Sequence, residues 1–245
     1  MVWVLAKTDF KLRYHGSILG FFWVILKPLF QFLILNFVFS HIFQGGSEYS
    51  LGLFTGIILW SFFSEGTMVG ITSIMSKAHI ITKIAVPKWI VVFSSVLNTI
   101  FNYLLNIVIL LLFFYFYGMF PSTLGILGLL YYSIMVSFII FSVSFLLAPL
   151  YLKFRDINQI WDVFLMAGFY AAPIIYPITT LPENIRALLY LNPMTLPIVH
   201  VKEFLLHHQF SQGWHHLIFA CIVLTLFVLS LIVFSFTSKR SAENV

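Results

Sequence analysis

Five stretches of this chain, 18–43, 51–75, 90–117, 124–150 and 217–236, are apolar almost without interruption. A helix needs about 20 mostly apolar residues to cross a bilayer, whereas a barrel strand needs about 9–11. Runs this long are therefore helices. In lipid, only a helix or a closed barrel satisfies every backbone group, so the sequence predicts an all-α polytopic membrane protein with no second fold class open to it. A sixth run, 157–177, is shorter and is interrupted by Asp162, Gly168 and Pro173. Counting it gives six spans in one transmembrane domain over 1–245, with both termini on one side.

Charge supports the same class. Only 9% of the residues are charged, against about 25% in soluble domains, too few to cover a water-facing surface. The formal net charge of +5 would suggest an anionic partner in a soluble protein. Here the basic residues sit in short connections between apolar runs and report topology, so nucleic acid is not expected as a partner. The single cysteine, Cys221, lies within an apolar run, which excludes an intrachain disulfide and a cysteine metal cluster. The first run is too long for a signal-peptide core and no small-residue cleavage site follows it, so it is kept as a span.

With the N-terminus inside, the inner segments carry Lys7, Lys11, Arg13, Lys77, Lys83, Lys88, Lys153, Arg155, Lys239 and Arg240, and the outer ones carry only Arg186 and Lys202. This asymmetry predicts cytoplasmic N- and C-termini in a cytoplasmic membrane. Before the first span, Trp3, Ala6, Phe10 and Tyr14 recur at helical spacing beside a ridge of Lys7, Lys11 and His15. That pattern predicts an amphipathic helix over 2–15 lying in the interface. Between spans five and six, 177–214 is too polar to span and too apolar for a solvated loop. Its apolar pieces 185–191 and 196–206 predict short re-entrant or surface helices, divided by prolines.

The chemistry of hydrolysis is absent from the sequence. It contains no phosphate-cradling Gly-x-x-x-x-Gly-Lys-Ser/Thr loop, no Gly-x-Ser-x-Gly elbow and no His-Glu-x-x-His pair. The pairs His207-His208 and His215-His216 read as solvated interfacial histidines, and no metal site is expected. Polar residues inside spans carry more information, because each needs a partner or a cavity. Asn98, Asn102 and Asn106 recur every fourth residue and form one stripe on span three. They serve either as interhelical glue or as the wall of a polar conduit, and Ser133, Ser137 and Ser144 admit the same two readings. On span one, Phe21, Phe22, Trp23, Phe30, Phe32 and Phe37 run through the whole membrane depth, beyond the needs of an interfacial belt. They read as packing aromatics or as a lining on which sugar rings stack.

The segment Arg13-Tyr14-His15-Gly16-Ser17-Ile18-Leu19-Gly20-Phe21-Phe22-Trp23, followed by Lys27-Pro28-Leu29, resembles the opening of ABC-2 type permeases of polysaccharide export. Three later segments agree in order: Phe154-Arg155-Asp156-Ile157 resembles the inner loop before span five, Pro173-Ile174-Ile175-Tyr176-Pro177 the end of that span, and Leu181-Pro182 with Leu189-Tyr190-Leu191-Asn192-Pro193-Met194-Thr195 the outer re-entrant region. The resemblance implies a homodimer joined to two copies of a separate ATPase, which would bind ATP and Mg, while this chain holds no cofactor. It implies a lipid-linked O-antigen, capsule or teichoic-acid polymer as cargo, with a channel at the dimer interface. The N-terminal helix, with Lys7, Lys11, Arg13 and His15, would be a gate or lipid-phosphate contact. The connection between spans two and three would be the coupling helix.

Two further expectations come from the residues. The connection 77–88 carries Lys77, Lys83 and Lys88 without an acidic residue. Ile80, Ile81, Ile84 and Ala85 give it an apolar helical face, and Pro87 ends it; a short rigid helix of this kind can pass a push from an acidic partner to two spans. Lys27 and Glu65 lie at matching depths, roughly 13 and 16 Å from the inner surface at 1.5 Å per residue, which predicts an ion pair unless Lys27 snorkels to the headgroups. Competing readings are an ABC-2 permease for a drug, peptide or lipid, an intramembrane enzyme on lipid-linked sugars, and a nucleotide-independent channel. The first often carries a large outer domain, and none is visible. The enzyme would need clustered carboxylates, and Asp156 and Asp162 fall on different helix faces.

Overall fold

The computed structural model describes residues 19–43, 46–78, 86–207 and 213–240. A single 3-10 turn, Gly20–Phe22, leads into α1 (Trp23–Phe43), followed by α2 (Gly46–Ser76), α3 (Lys88–Phe116), α4 (Thr123–Lys153) and α5 (Ile157–Ala171). Two short helices, α6 (Glu183–Leu189) and α7 (Thr195–Lys202), come next. α7 continues into one π-helical turn, Glu203–His207, and α8 (Gly213–Arg240) closes the chain. No strand occurs among the described residues. One end of the bundle, here the terminal end, bears Gly20, Lys77, Lys88, the 154–156 turn and Arg240. The distal end bears Phe43, Gly46, the α3–α4 turn and the segment 172–207.

Local chemistry sets the helix boundaries. Ser122 caps α4, its Oγ accepting from the Gly125 amide at 3.0 Å. The α3–α4 turn passes through Gly118 at φ +69°, a left-handed conformation that glycine takes without a side-chain clash. Pro87 stands at the entry to α3, where a missing N–H costs nothing.

Five helices are long and apolar enough to span a bilayer: 20–43, α2, α3, α4 and 213–237. The predicted fifth span, 157–177, differs. Its helix has 15 residues, about 22 Å at 1.5 Å per residue, and stops at Ala171. Ala172 is extended, as the residue before a proline prefers, and Pro173 supplies no donor to continue the ladder.

α2 is the hub. It packs on α1, α3, α4, α5 and α7, while α8 packs chiefly on α4. Nearly every residue from Ser50 to Phe63 is buried. Its approach to α4 depends on two glycines: a Cβ on Gly66 would press into Ile140, and one on Gly70 would collide with Ser144. Small residues that let backbones draw close are the usual way helices associate in lipid. Phe62 stacks on Tyr103 of α3 with centroids 4.0 Å apart. At the terminal end Lys77 is buried, its Nζ donating to Ser95 Oγ at 2.7 Å and reaching Ser94 Oγ at 3.4 Å. That contact ties the end of α2 to the first turns of α3.

Candidate functional site

α1 divides into two faces. Phe32 is buried at 2% exposure, with its ring 4.8 Å from Phe54 and 5.6 Å from Phe113, so it is a core residue rather than a lining one. Phe22, Trp23, Phe30 and Phe37 are exposed, and Phe21 is half-buried. Trp23, Phe30 and Phe37 stand seven residues apart and so share one side of the helix; no other described part of the chain covers it.

Beside that side an open cavity of about 600 Å³ lies among three helices. α1 contributes Trp23, Lys27, Pro28 and Gln31, α2 contributes Ser61, Ser64 and Glu65, and α3 contributes Asn106. Its walls combine an aromatic platform, an ammonium, a carboxyl group, amides and hydroxyls. Such groups hydrogen-bond hydroxyl-rich ligands and stack on the apolar faces of their rings.

Lys27 and Glu65 both line this cavity. They do not form the predicted direct ion pair, which is absent among the described residues. Lys27 is exposed, and Glu65 Oε1 accepts from Asn102 Nδ2 at 3.3 Å. Depth along a helix does not fix rotation about its axis, and here rotation decides. The asparagine stripe is buried throughout. Asn102 joins α3 to α2 through Glu65, and Asn106 Nδ2 donates to the Asn102 carbonyl at 3.1 Å. Of the three, Asn106 lines the cavity and Asn102 bonds across helices as glue. Ser133 does likewise, with Tyr103 Oη 2.7 Å from its Oγ.

Of the residues expected to couple to an ATPase, Lys77 is turned inward onto Ser94 and Ser95, and Lys88 begins α3, half-buried. Ile80, Ile81, Lys83, Ile84 and Ala85 lie outside the described residues, as do Lys7, Lys11, Arg13, His15 and the expected 2–15 helix.

Sequence reasoning missed a polar cluster at the distal end. Lys202, read as an outer loop charge, sends its Nζ to the Pro173 carbonyl at 2.8 Å and the Ile174 carbonyl at 3.0 Å. Its stem runs over Gly56, where a Cβ would lie 3.3 Å from Lys202 Cε. α7 lies outside the five candidate spans, and burial pushes the Lys202 ammonium down to about 7. Tyr49 Oη donates to the Ile175 carbonyl at 2.8 Å. Phe43, Glu48, Tyr49, Tyr176, Lys202 and His207 share the walls of a second cavity, of about 270 Å³. The histidines are not all solvated. His216 Nδ1 lies 2.6 Å from the Oη of fully buried Tyr132, and the His216 carbonyl accepts from Tyr131 at 2.6 Å. His207 Nε2 is 3.2 Å from Glu48, and His208 lies outside the described residues.

Five apolar helices long enough to cross a bilayer, with a polar cavity opening among three of the helices, define a polytopic membrane protein. The chain belongs to the ABC-2 type transporter family, whose pattern it matches over residues 1–206. It is similar to two O-antigen export system permease proteins RfbA of Klebsiella pneumoniae, at 28% and 27% identity over 242 residues; each comparison covers 98% of this chain and 93% of the relative. The O-antigen export system permease protein RfbA of Myxococcus xanthus is 26% identical over 244 residues, covering 98% of this chain and 94% of that protein.

Proposed function

We propose that this chain is the permease subunit of an ATP-driven exporter that carries a lipid-linked polysaccharide of the O-antigen class across the cytoplasmic membrane. The observation that carries the reading is the uncovered side of α1, which bears Trp23, Phe30 and Phe37 and whose Trp23 also lines a polar cavity walled by Gln31, Ser61, Ser64 and Asn106. A glycan presents apolar ring faces and many hydroxyls together, and this surface answers both. The cargo class rests on the three relatives, whose lengths this chain covers almost completely.

In this reading α5 is the fifth of six spans, and 2–15 is an interface helix whose Lys7, Lys11, Arg13 and His15 meet lipid phosphate. Helices α6 and α7 then sit at the outer mouth, with both termini in the cytoplasm. A second copy covers the exposed faces of α1 and of α5, the latter bearing Ile160, Val163, Phe164, Met166 and Tyr170. Two copies of a separate ATPase bind ATP and Mg and push on 77–88, because the chain has no phosphate-cradling loop.

Reconstitution tests the whole reading. The subunit alone, the subunit with the ATPase of its own transport system, and empty liposomes are compared for nucleotide turnover and for passage of lipid-linked glycan. Turnover and flux are expected only in the joint complex. Flux from the lone subunit, or a complex that turns over ATP but accepts no glycan lipid, would refute it.

A further inference from the structure

The distal end of α5 is an unusual helix terminus. A helix leaves its last carbonyls without intrahelical donors, and Pro173 and Pro177 withdraw two further N–H groups from the segment after it. Side chains from elsewhere supply the missing donors. Asn192 Nδ2 reaches the Gly168 carbonyl at 3.3 Å. Tyr176 Oη turns back to the Tyr170 and Ala171 carbonyls, each at 3.2 Å. The Ile174 amide takes Ala172 O at 2.7 Å. Lys202 takes Pro173 O and Ile174 O, and Tyr49 takes Ile175 O. Three consecutive carbonyls, 173–175, are therefore held from two other elements: α2 through Tyr49 and α7 through Lys202.

The helix surface beneath is shaped for this. On α2, a Cβ at Gly56 would stand 3.2 Å from Ile174 Cγ2 and 3.3 Å from Lys202 Cε, and one at Gly52 would stand 3.3 Å from Leu206 Cδ1. Two glycines one turn apart thus make a seat that the break and the lysine stem both occupy. A flexible break between α5 and the following helices would absorb any displacement of α5. One pinned at three carbonyls passes it on to α7, which packs in turn on α2 and α4.

Resting on the exporter reading above, we propose that Lys202 is a positioning residue of the transport cycle, which locks the 172–177 break to α2 and α7 so that α5 and the distal helices move as one piece. The lysine touches no cargo; it keeps the distal closure in step with the spans.

The test uses the complete exporter, permease with ATPase, in liposomes. Lys202→Met keeps a stem in the glycine seat and removes the donors; Tyr49→Phe removes one hydroxyl and serves as the milder variant. Three quantities are read: thermal stability, glycan moved per ATP hydrolysed, and amide exchange of the peptide spanning 172–178. Losing a buried donor frees backbone groups by an amount equivalent to about tenfold in local opening. Lys202→Met is expected to raise exchange there about tenfold and to lower glycan per ATP several-fold, with ATP turnover within about twofold of wild type; Tyr49→Phe does the same to a smaller degree. A purely structural lysine would lower flux and turnover together, in proportion to folded protein, and that result overturns the proposal. Unchanged glycan per ATP in both variants also overturns it. A wild-type complex that moves no glycan defeats the proposed function itself, and with it the transport role of Lys202, whatever the exchange reveals.

Discussion

Substituting Gly70 by alanine probes the tightest helix contact in the bundle. The new Cβ would lie 2.5 Å from Ser144 Cβ and would collide with Ser144 Oγ. The carbon pair is about 1 Å inside the separation at which carbon atoms attract. A rotamer change could move the hydroxyl, which donates to the Ile140 carbonyl at 2.7 Å, but Cβ is fixed to the α4 backbone, so α2 and α4 must part. Overpacking of this kind costs about 1–3 kcal/mol, offset by roughly 1 kcal/mol because alanine is the better helix former. Because a backbone-fixed carbon must yield, the upper half of that range applies, and the net loss of about 1–2 kcal/mol corresponds to a fall in Tm of about 2–8 °C in purified protein. Gly66→Ala meets only the flexible branches of Ile140 at 2.8–2.9 Å, so it should fall less. Gly213→Ala, with nothing within 4 Å, should be neutral. The decisive variant adds Ser144→Gly to Gly70→Ala, which removes the colliding atoms and should recover most of the lost Tm. Gly70→Ala at or above the wild-type Tm, or no recovery in the double variant, would refute the close approach of α2 and α4.

Three more outcomes follow from the same geometry. Lys77→Met should lower Tm by several degrees, because the Ser95 hydroxyl loses a charged donor, a bond worth about 1.5–3 kcal/mol; capture of the ATPase that falls without any change in Tm would instead make Lys77 a docking residue. Trp23→Ala combined with Phe30→Ala should slow glycan flux at least severalfold while leaving Tm within about 1 °C, since exposed side chains contribute little to the fold; a matching collapse of Tm would make them packing residues. Because the Lys202 pKa falls from 10.5 unfolded to about 7 folded, the unfolded chain binds the extra proton between those values. Thermal stability should therefore rise as pH increases from 7 toward 10, and Lys202→Met should lose that component of the rise.

What was legible in the sequence was depth, and what was not was rotation and remote pairing. Five spans follow from unbroken apolar runs, since hydropathy measures where a residue sits along the membrane normal. The run 157–177 reads too long because 172–177 is as apolar as a helix interior, while its two prolines end the helix at Ala171. Lys27 and Glu65 line one cavity, yet Glu65 turns to Asn102, an azimuthal fact that spacing within one helix cannot supply. Lys202 was missed because its partners lie 28 and 29 residues earlier and its seat is a glycine pair on α2. A usable signal was present: Lys202 and Glu203 interrupt the otherwise mostly apolar stretch 196–206, and a charge set into such a stretch is costly unless something receives it. His216 reads as solvated from its place in the outer connection, and only the packing of α8 on α4 brings it to Tyr132.

Burial is distributed unevenly among the helices that wall the cavity. In its most apolar stretch α2 is 67% buried, whereas 20–43 is 11% buried and 213–237 is 22% buried. Attraction between helices in lipid comes from close packing and interhelical hydrogen bonds rather than from a hydrophobic force. α2 has both, through Gly66 and Gly70 on α4, Glu65 on α3, and Thr67, whose Oγ1 accepts from Trp161 of α5 at 2.9 Å. α1 is tied by Phe32 in the core and by Asn36, whose Oδ1 accepts from Ser50 at 2.8 Å near the distal turn. The cavity opens between α1 on one wall and α2 with α3 on the other. Among the described residues α1 is thus the least buried of these walls and α2 the most. Whatever covers the aromatic side of α1, a second copy or the cargo itself, acts on that least buried wall.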